Sequence, residues 1–194
     1  AEYYSRNSIL GFTDDGYCTE GLGYFNYGFS NYIVLREELY QSTGGKIDLF
    51  KGDKIKRIAM YGVNFEIQNG VYPAFADCKI GTSVMPYILW YCNRNLGLGL
   101  DKYEKEPVVE KQIEPIFAPV VMRSFPNTAS ISVKKNGRKK VDLLRQYFDR
   151  AGVLISRHAE SDGTISVALK GGNNAENHNH NDLGTFVVVK GQEM

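Results

Sequence analysis

The sequence predicts an α+β protein in two successive parts, a helical array followed by antiparallel strands. Three observations carry this reading. Apolar residues recur at helical period in the first part of the chain, and they alternate at period two in the last part. Between them, where the pattern changes near residue 118, the prolines Pro115, Pro119 and Pro126 cluster. The division is residues 1–117 for the helical part and 118–194 for the strand part.

Element by element, the first helix follows the turn-rich stretch Thr13-Asp14-Asp15-Gly16. Tyr24, Tyr27, Tyr32, Leu35 and Leu39 fall on one stripe of that helix, and Gly44-Gly45 supplies its terminating pair. A second helix fits Ile55, Ile58, Ala59, Gly62 and Phe65. A third runs from about Ser83 to Asn95, with Pro86 tolerated in its first turn and Gly97 closing it. A weaker fourth spans Val108 to Phe117. Past the join, Ile131 and Val133 alternate with polar residues ahead of an Asn136-Gly137 turn. Val141 to Phe148 has no decisive period. Val153 to Arg157 and Thr164 to Lys170 flank Ser161-Asp162-Gly163 as a hairpin, with Ile165, Val167 and Leu169 expected on one face. After a polar, glycine-containing loop from Gly171 to Asp182, Gly184 to Val189 reads as the next strand.

Composition narrows the classes. Of 194 residues 43% are hydrophobic and 12% aromatic, enough apolar surface to exclude a disordered chain. No apolar run is long enough to predict a membrane span. Lys and Arg total 23 against 22 for Asp and Glu, so the charge balance leaves no electrostatic footprint for nucleic acid. The basic run from Lys134 to Lys140 reads as a solvated hairpin tip. Cys18, Cys78 and Cys92 have no CxxC spacing and read as small buried residues rather than as a disulfide framework. The chain opens inside a tyrosine-rich pattern without an initiator Met, so it is expected to be an internal piece of a longer protein.

Two segments carry candidate chemistry. In Asn177-His178-Asn179-His180-Asn181-Asp182, extended backbone would set His178, His180 and Asp182 on one face, and imidazoles with a carboxylate suit zinc. Metallo-β-lactamase-like hydrolases also carry an HxHxD string, but they need a further His after the Asp, where this chain has Leu183. His158 lacks such a setting and reads as a surface residue. The second segment, Asp14 to Tyr27, combines Glu20 with Gly16, Gly21 and Gly23, where a helix would prefer alanine. Glycine there permits close approach of backbone or ligand.

Asp15-Gly-Tyr-Cys-Thr-Glu-Gly-Leu-Gly-Tyr-Phe-Asn-Tyr-Gly28, Gly45-Lys-Ile-Asp-Leu-Phe50, Phe75-Ala-Asp-Cys78 and the long string from Ala168 to Phe186 together resemble the heparinase II/III-like polysaccharide lyases. The resemblance covers nearly the whole chain. It implies part of an (α/α) toroid followed by the start of an antiparallel β-sandwich, and β-elimination on a polysaccharide containing uronic acid, of glycosaminoglycan or alginate type. It implies Tyr24 as proton shuttle, with Tyr27 one turn on as a substrate-binding neighbour, and His178 as the catalytic histidine near the substrate carboxylate. Glu20 and Asn177 shape the cleft, Asp182 orients, and His180 ligates a structural zinc whose remaining ligands lie outside this chain. The family's carboxylate-neutralising Asn or His precedes Ala1.

The partner implied is an acidic polysaccharide, and the location periplasmic or secreted. The chain alone is expected to be inactive and its full-length parent active. Tyr24 and His178 are expected to face each other across one cleft. Two other classes stand beside this one: a non-catalytic carbohydrate-binding module on the same scaffold, and a metal-dependent hydrolase using the HxHxD string.

Overall fold

A computed structural model of the chain describes residues 2–105, 107–108, 113–125, 144–158, 165–176, 180–191 and 193. The expectations for Ile131, Val133, the Asn136-Gly137 turn, the basic run and the Ser161-Asp162-Gly163 turn lie outside these residues. The described residues form a mixed fold, with helices α1 (Glu2–Leu10), α2 (Leu22–Ser42), α3 (Asp53–Ala59), α4 (Tyr61–Asn64), α5 (Pro86–Leu96) and α6 (Ala118–Ser124). Strands β1 (Arg145–Phe148), β2 (Val153–Ser156), β3 (Ile165–Lys170) and β4 (Thr185–Lys190) follow. Among the described residues no helix is long and apolar enough to cross a membrane.

The long helix α2 forms where the sequence places it, but it buries a different stripe. Leu22, Phe25, Phe29 and Ile33 are wholly buried, with Arg36 one turn on, while Tyr24 and Tyr27 face outward at 37% and 49% exposure. The reason is chemical. Phe25 and Phe29, stacked at 5.4 Å, bury no polar atom, whereas a phenol on that stripe would bury a hydroxyl, which is costly unless it has a partner. Tyr32 is buried and has one, donating to the Leu49 carbonyl at 3.1 Å. Gly44 and Gly45 end the helix at positive φ.

The second expected helix is two, α3 and α4, interrupted at Met60, with all five marker residues buried. Helix α5 begins at Pro86, three residues later than expected, and Gly97 closes it in the left-handed conformation at φ 63. Of the weaker helix expected from Val108 to Phe117, residues 109–112 lie outside the described residues, and the described part is corrected. Val108 and Ile113 are not helical, and Glu114 is extended, as a residue before proline prefers; the 3-10 turn Pro115–Phe117 then continues into α6. Pro115 and Pro119 sit in first turns, where no N–H is missed. Helix α1 and the strand β1 were not marked by any clear period.

The sheet is antiparallel throughout, in the order β1-β2-β3-β4. Its inner face, Phe148, Val153, Ile155, Ala168 and Val189, belongs to the same core as the helices. The Phe148 ring packs against Tyr17 at 5.2 Å, Tyr61 at 6.0 Å and Phe65 at 6.4 Å. Arg157 adds a polar tie, donating to the Asn64 and Glu66 carbonyls at 2.6 and 2.7 Å, at the C-terminal end of α4.

Ile165, Val167 and Leu169 share one face of β3, as expected, and it is the outer one. Ser166, Ala168 and Lys170 point inward, while Ile165 and Leu169 are exposed at 60% and 43% and Val167 is half-buried. Parity decides this: side chains alternate, and Ser166 and Lys170 have inner partners. The Ser166 hydroxyl donates to Gln68, and Lys170 pairs with two acids described below. The outer face therefore carries an exposed apolar row, Tyr147, Leu169 and Phe186, beside Ile165 and Val188.

Candidate functional site

The outward tyrosines of α2 open onto a pocket of about 270 Å³, lined by Gly23, Tyr24, Tyr27, Asp77, Lys79 and Thr82. That is small for a ligand site, the scale of a single ring rather than of an extended molecule. The pocket exists because the start of α2 lies directly on the segment 75–82. Gly21 precedes the helix at φ 93, and a Cβ there would meet the Phe75 carbonyl oxygen at 2.9 Å. The glycine reading from sequence holds here, with backbone as the close neighbour. Asn26, on the buried side of α2, donates to the Ser83 carbonyl and accepts the Met85 N–H, both at 2.8 Å, and fastens the far end of the segment.

Tyr24 and Asp77 line the pocket together, and the Asp77 charge bears on the Tyr24 phenol. Partial burial, then the charge of Asp77 and the charge of Glu20, hold the Tyr24 phenol above its ordinary pKa. Glu20 is half-buried, immediately before Gly21. Asp77 Oδ1 in turn lies 3.8 Å from His180 Nε2 on the loop between β3 and β4. One acidic side chain thus stands between Tyr24 and His180.

That loop is anchored from beneath. The Lys170 side chain is fully buried, with Nζ 2.9 Å from Asp182 Oδ1 and 3.5 Å from Glu176 Oε2. Asp182 Oδ2 accepts the Ala76 N–H at 3.0 Å, so the orienting role given to Asp182 is directed at the 75–82 segment. Burial pushes the Asp182 carboxyl up, but the hydrogen bonds from Lys170 and Ala76 and the lysine charge leave it below the usual range. For Glu176 burial outweighs the lysine, and its carboxyl is raised.

His178 and Asn177 lie outside the described residues, so the expectation that Tyr24 and His178 face each other does too. Tyr24 and Tyr27 line the pocket, and Glu20, outside its lining, bears on Tyr24 by its charge. His180 reaches its rim through Asp77, and His158 is exposed as read. Three residues of the pocket were not singled out from sequence, Asp77, Lys79 and Thr82, and neither was the buried Lys170 beneath it. Asp77 stands inside the Phe75-Ala-Asp-Cys78 string, but no spacing rule links a residue there to Tyr24.

Other marked residues are structural. Asp15 accepts the Thr13 hydroxyl, the Tyr17 N–H at 3.3 Å and the Arg150 N–H at 3.4 Å, which joins the helical part to the β1–β2 turn. Asp48 of the Gly45–Phe50 string grips Arg36 through two bonds at 2.8 and 2.9 Å. Cys18 and Cys92 are buried free thiols, and burial pushes Cys18 up to about 12. Cys78 is only half-buried, contrary to the sequence reading.

A structural zinc at His180 needs three or four N, S or O donors converging on one point. Around His180 the described residues supply one imidazole and one carboxylate, and among the described residues no group of three such side chains converges. They do not by themselves fit a closed zinc site.

Compared with known proteins, the chain matches no family model and no curated protein.

Proposed function

We propose that the protein is a polysaccharide lyase that cleaves a uronic-acid-containing polymer, of glycosaminoglycan or alginate type, by β-elimination in a heparinase II/III-like arrangement. The observation that supports this best is the placement of Tyr24. Its ring leaves the core on the outward face of α2 and lines a ring-sized pocket together with Tyr27, Asp77 and Lys79.

The chemical problem is a weakly acidic C–H at C5 of the uronate. Its removal becomes feasible when the adjacent carboxylate is neutralised and a positioned group moves the proton. Tyr24 serves as proton shuttle between C5 and the leaving O4. Tyr27 offers a ring face for a neighbouring sugar, and Glu20 and Asn177 border the cleft. His178 belongs beside the substrate carboxylate. No step of this scheme uses a metal; a zinc bound through His180 would have a structural role.

The same reading extends the architecture to part of an (α/α) toroid followed by a β-sandwich. The uncovered apolar row on the outer face of the sheet is the kind of surface a second sheet covers. A periplasmic or secreted location belongs to the reading as well.

The test is a panel of uronic-acid polysaccharides incubated with the full-length protein, reading the ultraviolet absorbance of the unsaturated product. Expected is product from at least one polymer, with turnover lost in Tyr24→Phe and binding retained. Binding without product in the wild type would instead favour a carbohydrate-binding module, and saturated ends a hydrolase.

A further inference from the structure

Among the described residues Asp77 joins the α2 side of the pocket to the β3–β4 loop, and four observations converge on it. It lines the pocket together with Tyr24, and its charge bears on the Tyr24 phenol. Its Oδ1 lies 3.8 Å from His180 Nε2. The residue before it, Ala76, is held at φ 54, a strained left-handed conformation for a non-glycine residue. The same Ala76 is fastened by its N–H to Asp182 Oδ2 and by its carbonyl to the Cys78 N–H at 2.9 Å. Strain kept in place by a buried lysine–carboxylate pair fixes the next side chain, which lines the pocket beside Tyr24.

We propose that Asp77 is a positioning residue for Tyr24, aiming its hydroxyl into the pocket and presenting it there as a proton donor. This rests on the lyase reading and refines it. The groups that bear on the phenol are Glu20 ahead of α2, Asp77 and Lys79 on the 75–82 segment, and His180 from the β3–β4 loop behind Asp77. The two acids disfavour a phenolate. Tyr24 therefore meets substrate as O–H.

In the elimination the C5–H electron pair becomes the C4=C5 bond, and the C4–O4 pair leaves with O4. O4 takes the Tyr24 proton. The Tyr24 oxygen takes the C5 proton in its place, so the shuttle ends as O–H with no net proton change.

The experiment is Asp77→Asn in the full-length protein, which keeps the size and an acceptor but removes the charge. Two readouts are used. The first is the pH profile of turnover. Expected are a kcat lower by about 100-fold with KM within about twofold, as for a misaimed reacting group, and an alkaline limb moved to lower pH. The second is carbon NMR of ring-labelled tyrosine, with Tyr24→Phe identifying the Tyr24 signal. Expected is that Tyr24 ionises at lower pH in Asp77→Asn than in the wild type.

Unchanged kcat and an unmoved NMR titration overturn the proposal. So does higher activity at neutral pH, which would mean that Tyr24 works as phenolate and Asp77 restrains it. If no polymer yields product even in the wild type, the lyase reading fails by itself. The NMR titration then decides the Tyr24–Asp77 pairing alone, movement sustaining it and no movement overturning it.

Discussion

Lys170 Nζ lies 2.9 Å from Asp182 Oδ1 with the lysine side chain wholly out of solvent. A lysine on the inner face of a strand is costly unless paired, and here the pair holds the loop that carries His180 against the segment that carries Asp77. Lys170→Met removes the cation and leaves two partly buried carboxylates facing each other. The expected loss is about 3 kcal/mol of stability in urea unfolding. A loss below about 1 kcal/mol would show that solvent already screens the pair.

Acid should destabilise the fold in a defined direction. Asp48, Glu37, Asp15 and Asp182 are each pushed up by burial but brought below their ordinary values by hydrogen bonds, with Arg36 the chief donor to Asp48. Groups with lowered folded values add stability above the unfolded carboxylate range, about 4, and lose it as pH falls through the folded values. Glu176, raised, contributes with the opposite sign. Chemical denaturation midpoints are expected to fall steadily below pH 4, and Asp48→Asn should flatten that fall. A midpoint independent of pH between 5 and about 2 would contradict it.

Gly21 and Gly23 should respond oppositely to alanine. At Gly21 the positive φ and the Phe75 carbonyl leave no room for a methyl group, so Gly21→Ala is expected to cost about 2 kcal/mol and to shift Asp77 away from Tyr24. At Gly23 nothing lies within 4 Å of the added carbon, and the helix gains from alanine. Gly23→Ala should match or slightly exceed the wild type in thermal melting. Equal melting of the two variants would refute the close contact at Gly21.

The apolar outer row of the sheet is testable without any substrate. Leu169→Thr with Phe186→Ser is expected to lower binding of a hydrophobic dye and reduce self-association at high concentration. Folding stability should change by less than about 0.5 kcal/mol, because both side chains are exposed. A collapse in stability would mean that the row is covered in the folded protein.

Much of the fold was legible because punctuation residues act locally. Pro86 and Gly97 bracket α5, Gly44 and Gly45 end α2, and the strand pattern of β2, β3 and β4 stands in the sequence. Which face turns inward was not legible for α2 or β3. Helix α2 is apolar on two faces, and β3 turns its Ser166-Ala168-Lys170 face inward against its apolar pattern. The choice was made by partners elsewhere in the chain: Ser83 and Met85 for Asn26, Gln68 for Ser166, Asp182 for Lys170. The site shows the same division. Tyr24 and Tyr27 are readable from their neighbourhood, whereas Asp77 reaches Tyr24 only through a strained turn that no periodicity announces.

The Phe148 ring, wedged between Tyr17, Tyr61 and Phe65, makes the helices and the sheet interdependent in denaturation. Neither half can melt while the other keeps a closed interior, so heating should give one cooperative transition rather than two. Trp90, the sole tryptophan, reports from α5, and amide exchange in β3 reports from the sheet. Their midpoints should coincide, and Phe148→Ala should lower both together.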